Sequence, residues 1–519
     1  MARRRSTRSG AGDKAYILHK PRGQFSKRVQ AVGPEHFGIV SFDCAKARSK
    51  YMLADFYGTV RIGPTEVSHQ HSTLESAYQQ IQEACHRYQL RDLLVAIERT
   101  GEYHRPVQRF FRGRGHDVRL VHPYASKQFR QPAAPGEKTD NQDLGGIHRA
   151  TTSGFALVDP IWPDDYCQLQ FLIRQRRDLV RKTTLLQCQI REVLHSIMPG
   201  YAECFLKFWD STTAVPLARH TGSAQAIRQA GADGLRRLLH ELKLRASPRT
   251  LPKLIAWAEN APPSHPGSDH HRRAFDSLDE DRLQKILEIQ ALERAIASCL
   301  VRTPFILLLV IPGIHIIGSA DFAGEMGPPS FYANANAITG RAGLMPSRYQ
   351  SDRVDNQRGP LRRAGNRRLR AALLQIADNL MRHNHHYNIQ ALRHTQAGKD
   401  PRWTHVKIAK SFSRLAFAML ASGQVFGHPS CQKTYSILDK LFDFHRDHGT
   451  PWEQARQDLE AATAQLPRSR YATEAQTLRE RLEEINRQRR PSPQPLSDLI
   501  PIVLARLGVA GLQSEMGPG

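Results

Sequence analysis

Residues 37 to 123 carry the pattern that most restricts how this chain can fold. The apolar segment "HFGIVSFDCAK" reads as a strand ending in Asp43, and "KYMLADFYG" and "TVRIGP" read as two more. "STLESAYQQIQEACHRYQ" has helical spacing, and "DLLVAIERTGEYH" opens with a fourth strand that ends at Glu98. "RPVQRFFRGRG" is a helix closed by Gly115, and "DVRLVHP" is a fifth strand. Short apolar runs between turn residues mark strands, and apolar positions three or four apart mark helices. The order is therefore three strands, helix, strand, helix, strand, helix.

That is the order of an RNase H-like α/β domain. In an open α/β sheet, ligands collect at the C-terminal ends of the strands. Asp43 and Glu98 both sit there. A further acidic pair, Asp140 and Asp143 in "KTDNQD", stands three residues apart, on one side of a helix. If that helix crosses the sheet edge, four carboxylates converge. Like charges at close range repel unless a cation neutralises them. Hard oxygen donors without His or Cys select Mg²⁺ or Mn²⁺. Two such ions can activate a nucleophile and stabilise the leaving oxygen of a phosphodiester. Taken singly, each acid has an ordinary reading, because acids in a first helical turn complement the helix dipole. The combination, on a basic chain, favours the metal reading.

Charge supports that direction. The 519 residues favour two or more domains, and 74 Lys+Arg against 49 Asp+Glu leave a net charge of +25. A polyanion is the natural partner, nucleic acid foremost. No membrane association is expected: the longest apolar run, "FILLLVIPGIHIIG" (305–318), is broken by Pro312 and Gly313. The seven cysteines are scattered with no CxxC pair, which argues against a zinc ribbon or a disulfide framework. "MARRRSTRSG" lacks a following apolar segment of the secretory type. A cytoplasmic, nucleoid-associated setting is expected.

Five regions follow. Residues 1–36 read as a flexible basic arm, and 37–160 as the RNase H-like α/β domain. Residues 161–300 read as a helical coiled coil with an inserted loop. Its seam runs through Leu169, Leu172, Arg176, Leu179, Thr183, Leu186, Ile190, Val193 and Ile197. "DRLQKILEIQALERAIASCLV" (281–301) is its expected partner, within the chain or across a dimer. Residues 301–427 form a mostly helical third region. There "IPGIHIIGSADFAGEMG" has the look of a helix-hairpin-helix element, and six arginines crowd 358–370 as a phosphate-binding surface. Residues 428–519 are a helical tail with no assigned chemistry, ending in a Pro-rich break and the apolar "LSDLIPIVLARLGVAGL".

The motifs "FDCAK", "IERTGEYH", "GHDVRLVHP" and "KTDNQD", followed by "IPGIHIIGSA", "AGLMPSRYQS" and "AGNRRLR", resemble the DEDD-type transposases of bacterial insertion sequences (the IS-one-ten group, described as bridge-RNA-guided recombinases). The resemblance covers roughly residues 37–200 and 280–427. It implies a RuvC-like nuclease domain, a coiled coil and a C-terminal serine domain. It implies that Asp43, Glu98, Asp140 and Asp143 are the catalytic, metal-binding tetrad and Ser351 the nucleophile, with Ser347 as runner-up. Asp352 stands where the family usually places glycine after that serine, which keeps an inactive nucleic-acid-binding protein among the readings. Arg358, Arg362, Arg363, Arg367, Arg368, Arg370 and Lys138 would contact nucleic acid. The implied activity is cutting and rejoining DNA through a covalent phosphoserine link, with a noncoding guide RNA and a homodimer or homotetramer. A related DNA invertase, or a junction nuclease without a covalent step, is the alternative.

Overall fold

A computed structural model describes residues 25–130, 139–262, 268–347, 349–351, 354–356, 359–362, 365–467 and 472–488. The chain divides into two compact units, Met1–Ile161 and Trp162–Gly519.

The first unit is a six-stranded mixed sheet in the order β3-β2-β1-β4-β5-β6. β1 (Phe37–Cys44), β2 (Arg48–Asp55) and β3 (Val60–Ser68) form an antiparallel meander. α2 (His71–Arg87) then crosses to β4 (Asp92–Glu98), which lies parallel to β1. α3 (Arg105–Gly113) leads to β5 (Asp117–Val121), parallel to β4. β1 is buried almost throughout, as expected of a central strand covered on both faces. β3 carries Pro64, and as an edge strand it can lose that ladder donor. One face packs on α2 and α3 through Val40, Phe42, Val95 and Ile97. The other packs through Ile39, Leu94 and Ala96 against Ile147 and Ala150 of α5 (Asp140–Thr152).

Two parts of this unit depart from the sequence expectation. A sixth strand, β6 (Ala156–Val158), pairs antiparallel with β5. Residues 25–36, expected within a flexible arm, include helix α1 (Ser26–Val32). Phe25 and Val29 are buried against the sheet, and Arg28 is paired with Asp92 and Asp117. Apolar contact with a distant sheet, invisible to local periodicity, outweighs the basic character of the segment. Arm residues 1–24 lie outside the described residues.

The second unit is mostly helical. α6 (Asp164–Ile197) and α10 (Ser268–Leu300) pair antiparallel within the chain: Asp165 bonds Arg302 just past the end of α10, and Arg176 bonds Glu293. None of the nine seam positions is exposed. Between the two lie α7 (Ala214–Thr221), α8 (Ala224–Glu241) and α9 (Thr250–Asn260), with their own core at one end of the pair.

After α10, the run Phe305–Ile311 is fully buried, most of it as a 3-10 helix over Pro304–Val310. The apolar segment of the sequence is thus the centre of this unit's core. A turn through Pro312 and Gly313 leads into α11 (Ile316–Met326). Gly313 takes φ +89°, and a Cβ there would sit 2.9 Å from the carbonyl oxygen of Asn379, so only glycine suits the turn. α12 (Ala335–Arg341), strands β7 (Tyr349–Ser351) and β8 (Val354–Asn356), α13 (Arg367–His383), α14 (His385–Gln396) and α15 (Pro401–Ser422) follow.

Much of the expected tail joins this core. α16 (Ser436–Asp447), α17 (Trp452–Gln465) and α18 (Ala472–Arg487) contribute Ile437, Leu441, Leu459, Leu478 and Leu482 to it. Lys440 of α16 reaches the turn before α11, donating to the carbonyls of Leu309 at 2.6 Å and of Ile311 and Ile314 at 3.0 Å. The Pro-rich break and the final apolar segment lie outside the described residues.

Candidate active site

The two strand-end acids are neighbours by register. β1 and β4 run parallel with Phe42 beside Ile97, so the next residues, Asp43 and Glu98, stand side by side. Side chains alternate along a strand. Residues 39, 41 and 43 of β1 and 94, 96 and 98 of β4 therefore share the face that α5 covers. Asp43 is also opposite Lys50 in the antiparallel register with β2. The thiol of Cys44, on the other face, is pushed up to about 12, chiefly by burial and further by the negative charges of Asp43 and Glu98.

α5 brings the second pair of acids. Its N-cap is Thr139, whose hydroxyl accepts from the amide of Gln142. Leu144 packs on Met52 and Ala54, and Ile147 and Ala150 on β1 and β4. His148 fixes the helix to β2 through the carbonyl of Asp55 at 2.8 Å. Asp143, one turn before Ile147, is 5% exposed. It forms an ion pair with Arg130. Asp140 begins the helix; its side chain is outside the described residues, as is all of Lys138.

Glu98 is held from α4 (Pro123–Gln128). The Ser126 hydroxyl donates to its carboxylate, and Thr100 donates more weakly at 3.4 Å. Gly146 lets α5 approach α4, since a Cβ there would lie 2.8 Å from the Ser126 carbonyl oxygen. Ser41, on the same sheet face, has a buried hydroxyl with no hydrogen-bond partner. Ser126, Arg130 and Gly146 escaped sequence reasoning. Each acts through a contact between distant segments, and none belongs to a recognisable motif.

The donors Asp43, Glu98 and Asp143 are all hard carboxylate oxygens on one face, which fits a magnesium-type ion chemically. Among the described residues, however, no group of three or more His, Cys, Asp or Glu is gathered closely enough to hold a metal. Asp143 is turned to Arg130 instead.

Ser351 closes β7 and pairs with Val354 of β8, so it stands at the end of a short hairpin. Its side chain and residues 352–353 are outside the described residues. Ser347 lies at the base of that hairpin, beside the Pro346–Leu361 bridge. Its amide and hydroxyl both donate to the Pro360 carbonyl, at 2.8 and 3.0 Å. That hydroxyl is used in holding the hairpin stem.

Of the arginine run, Arg362, Arg367 and Arg368 are exposed, and among the described residues none of them has an ion pair. Arg370 is half-buried and donates to the carbonyls of Ala342 at 2.8 Å and Arg362 at 2.6 Å, which anchors the loop. Arg358 and Arg363 are outside the described residues. α13 itself starts at Asn366, which accepts from the amides of Arg368 and Leu369. The Asn366 amide group donates to buried Glu325 at 3.1 Å.

A chain with a carboxylate-bearing mixed sheet and a helical unit carrying a serine hairpin is thus defined by its own geometry. Two family models match it. A transposase model of the DEDD IS110 type covers residues 40–199, and the model described as transposase IS116/IS110/IS902 family covers residues 306–392. These matches support an IS110-type transposase, and the two matched domains indicate a DNA transposase/recombinase enzyme. No curated protein matches it by sequence. Among the described residues no helix is long and apolar enough to cross a membrane.

Proposed function

We propose that this transposase cuts and rejoins DNA by serine attack assisted by a carboxylate-bound metal. The observation that carries the reading is the pairing of Asp43 with Glu98 at adjacent strand ends, on the face covered by the Asp143 helix. In this reading the first unit is RuvC-like, and its strand order supports that. Asp43, Glu98, Asp140 and Asp143 would hold Mg²⁺ or Mn²⁺, and Asp143 would exchange its Arg130 partner for the ion. When bound, such ions lower the cost of forming an alkoxide and neutralise charge at the phosphate.

The Ser351 oxygen attacks a DNA phosphorus, giving up its proton. A phosphoserine bond forms as one strand P–O bond breaks, and the departing sugar oxygen takes up a proton. Attack by a different strand end on the phosphoserine reverses the step and reseals DNA without loss of bond energy. Arg362, Arg367 and Arg368 are exposed for phosphate contacts, the role also given to Arg358 and Arg363. Ser351 and the tetrad belong to different units, and in the proposed active assembly a homodimer or homotetramer supplies both to one phosphodiester. Target choice follows base pairing with a noncoding guide RNA, as in other RNA-guided systems.

The test is an adduct assay with element-end DNA, Mg²⁺ and the noncoding RNA flanking the gene. Wild-type protein is expected to yield a protein–DNA adduct that Ser351→Ala and Asp140→Ala both abolish. An adduct surviving Ser351→Ala removes that serine from the mechanism. Nicked DNA with no adduct points to a nuclease.

A further inference from the structure

Helix α15 divides cleanly along its length. Ile408, Phe412 and Ala416 are buried in the core of the second unit. The opposite side presents Trp403, Lys407, Lys410 and Arg414, spaced four, three and four residues apart. These positions make one stripe about 16 Å long. Trp403 is 36% exposed, although an ample core lies one helix face away. The Lys407 ammonium stands 4.9 Å from its ring centroid and that of Lys399, in the α14–α15 connection, 5.9 Å. The His394 ring of α14 meets the indole edge-on at 4.9 Å.

Among the described residues, no acid neutralises this stripe. Among the described residues, Lys399, Lys407, Lys410 and Arg414 have no ion pair. The acids nearby are engaged elsewhere: Asp378 with Arg382 and His405, and Asp400 with the amide of Arg402 at the helix start. Partial burial, and then the charges of Lys407 and Arg414, hold the Lys410 ammonium below its usual range. Crowded like charges without counter-ions are costly, and a polyanion relieves that cost.

We propose that the α14–α15 surface is a docking site for an unpaired strand of nucleic acid, with Trp403 as a platform for one base. Lys399 and Lys407 take the flanking phosphates, and Lys410 and Arg414 extend the track along the backbone. The aromatic group decides for an unpaired strand. A duplex offers phosphates to lysines but keeps its base faces stacked inside, so an exposed indole gains nothing from it. An unpaired base gives up water for the ring face, and alanine at such a platform typically weakens binding about 10-fold to 100-fold. DNA and RNA strands share this chemistry. The site uses neither the tetrad nor Ser351, and binding there needs no metal, so its failure and failure of the cleavage mechanism are separable.

The full-length protein in EDTA is titrated with labelled oligo(dT), oligo(U) and a duplex of equal length, following anisotropy and tryptophan fluorescence. Wild type should bind a single strand with quenching that Trp403→Phe removes while leaving affinity and thermal melting nearly unchanged. Trp403→Ala should weaken single-strand binding about 10-fold or more, and duplex binding by far less. Lys407→Gln, an exposed change that leaves the fold alone, should lower affinity for all three and reduce the salt slope by about 1. A wild-type preference for one oligonucleotide that disappears in Trp403→Ala supports the site and identifies its strand as DNA or RNA. Unchanged single-strand affinity in Trp403→Ala overturns the proposal. Equal losses on single strand and duplex overturn it too, leaving only a charged surface.

Discussion

Asp143 and Glu325 are both acids on helices, exposed by 5% and 0% respectively, yet the two units treat them differently. Glu325 is fully served. Arg174 bonds it twice, at 3.0 and 3.1 Å, Asn366 donates at 3.1 Å and Arg177 stands 3.6 Å away. These contacts tie α6, α11 and the start of α13 together. Asp143 has the Arg130 ion pair, but its Oδ1 has no well-aligned hydrogen bond. A buried carboxylate with every lone pair used is committed to structure. One held by a single movable cation keeps capacity for a ligand.

The largest effect expected from this contrast is on activity. Asp143→Asn should abolish adduct formation while shifting the melting transition of its own unit, Met1–Ile161, by no more than about 3 °C, the equivalent of about 1 kcal/mol for a unit of that size. A large loss of stability in that variant would move Asp143 to the structural side.

Glu325→Gln should do the reverse. It leaves Arg174 without its counter-charge and removes one of the two acids beside Arg177, which keeps Asp321 at 3.3 Å, and should cost about 3 kcal/mol in urea denaturation, with or without Mg²⁺. Stability within about 1 kcal/mol of wild type would mean that the arginines relax into water and the contrast fails.

Two glycines sharpen the comparison at smaller scale. A Cβ at Gly324 would meet Ile173 Cδ1 at 2.5 Å and Gln170 Cα at 3.1 Å, so Gly324→Ala should wedge α6 from α11 and cost about 1–3 kcal/mol. Gly146→Ala pushes instead on Ser126, the partner of Glu98, and should lower adduct yield more than it lowers stability. Thermal melts and the adduct assay on both variants check this.

The smallest effect concerns pH. Asp458 is buried, accepts from Ser298 at 2.7 Å, and has its carboxyl raised to about 6, mainly by burial. The folded protein therefore keeps a proton that the unfolded chain releases near pH 4. The stability this contributes is present below pH 4 and lost as pH rises through about 6. Asp458→Asn cannot lose a proton, so its stability relative to wild type should grow between pH 4 and 6 and then level off. The expected gain is on the order of 1 kcal/mol, read from urea titrations at several pH values. Nearby His445, lowered by burial to about 4, acts in the opposite sense and is present in both proteins.

Much of the first unit was legible in the sequence. Five strands were predictable from apolar runs, and Asp43 and Glu98 fall at strand ends in the order expected. The α6 seam was legible for the same reason, since a repeat over nine positions is a local signal. Three-residue β6 has no such signal and exists through β5. Nor did α1 or the α16–α18 segment announce their docking, because burial of Val29 or Leu441 depends on surfaces formed far away in the chain. Within the candidate site, counting along strands located the acids, but nothing local pointed to Ser126 or Arg130. Ser347, a nucleophile candidate by position, turned out to bond its own hairpin stem.

The sequence by itself determined the kinds of elements, their order, the acids at the strand ends and a charge of +25 that calls for a polyanion. These follow from periodicity and composition, which neighbouring residues carry. Only the tertiary structure decided that Asp43 and Glu98 lie side by side on the α5 face, because that depends on the register of β1 against β4, where a slip of one residue would turn one of them away. It alone also set Arg130 against Asp143 and left Trp403 partly exposed beside lysines that have no ion pair among the described residues, since packing between distant segments fixes which charges meet a partner and which wait for one.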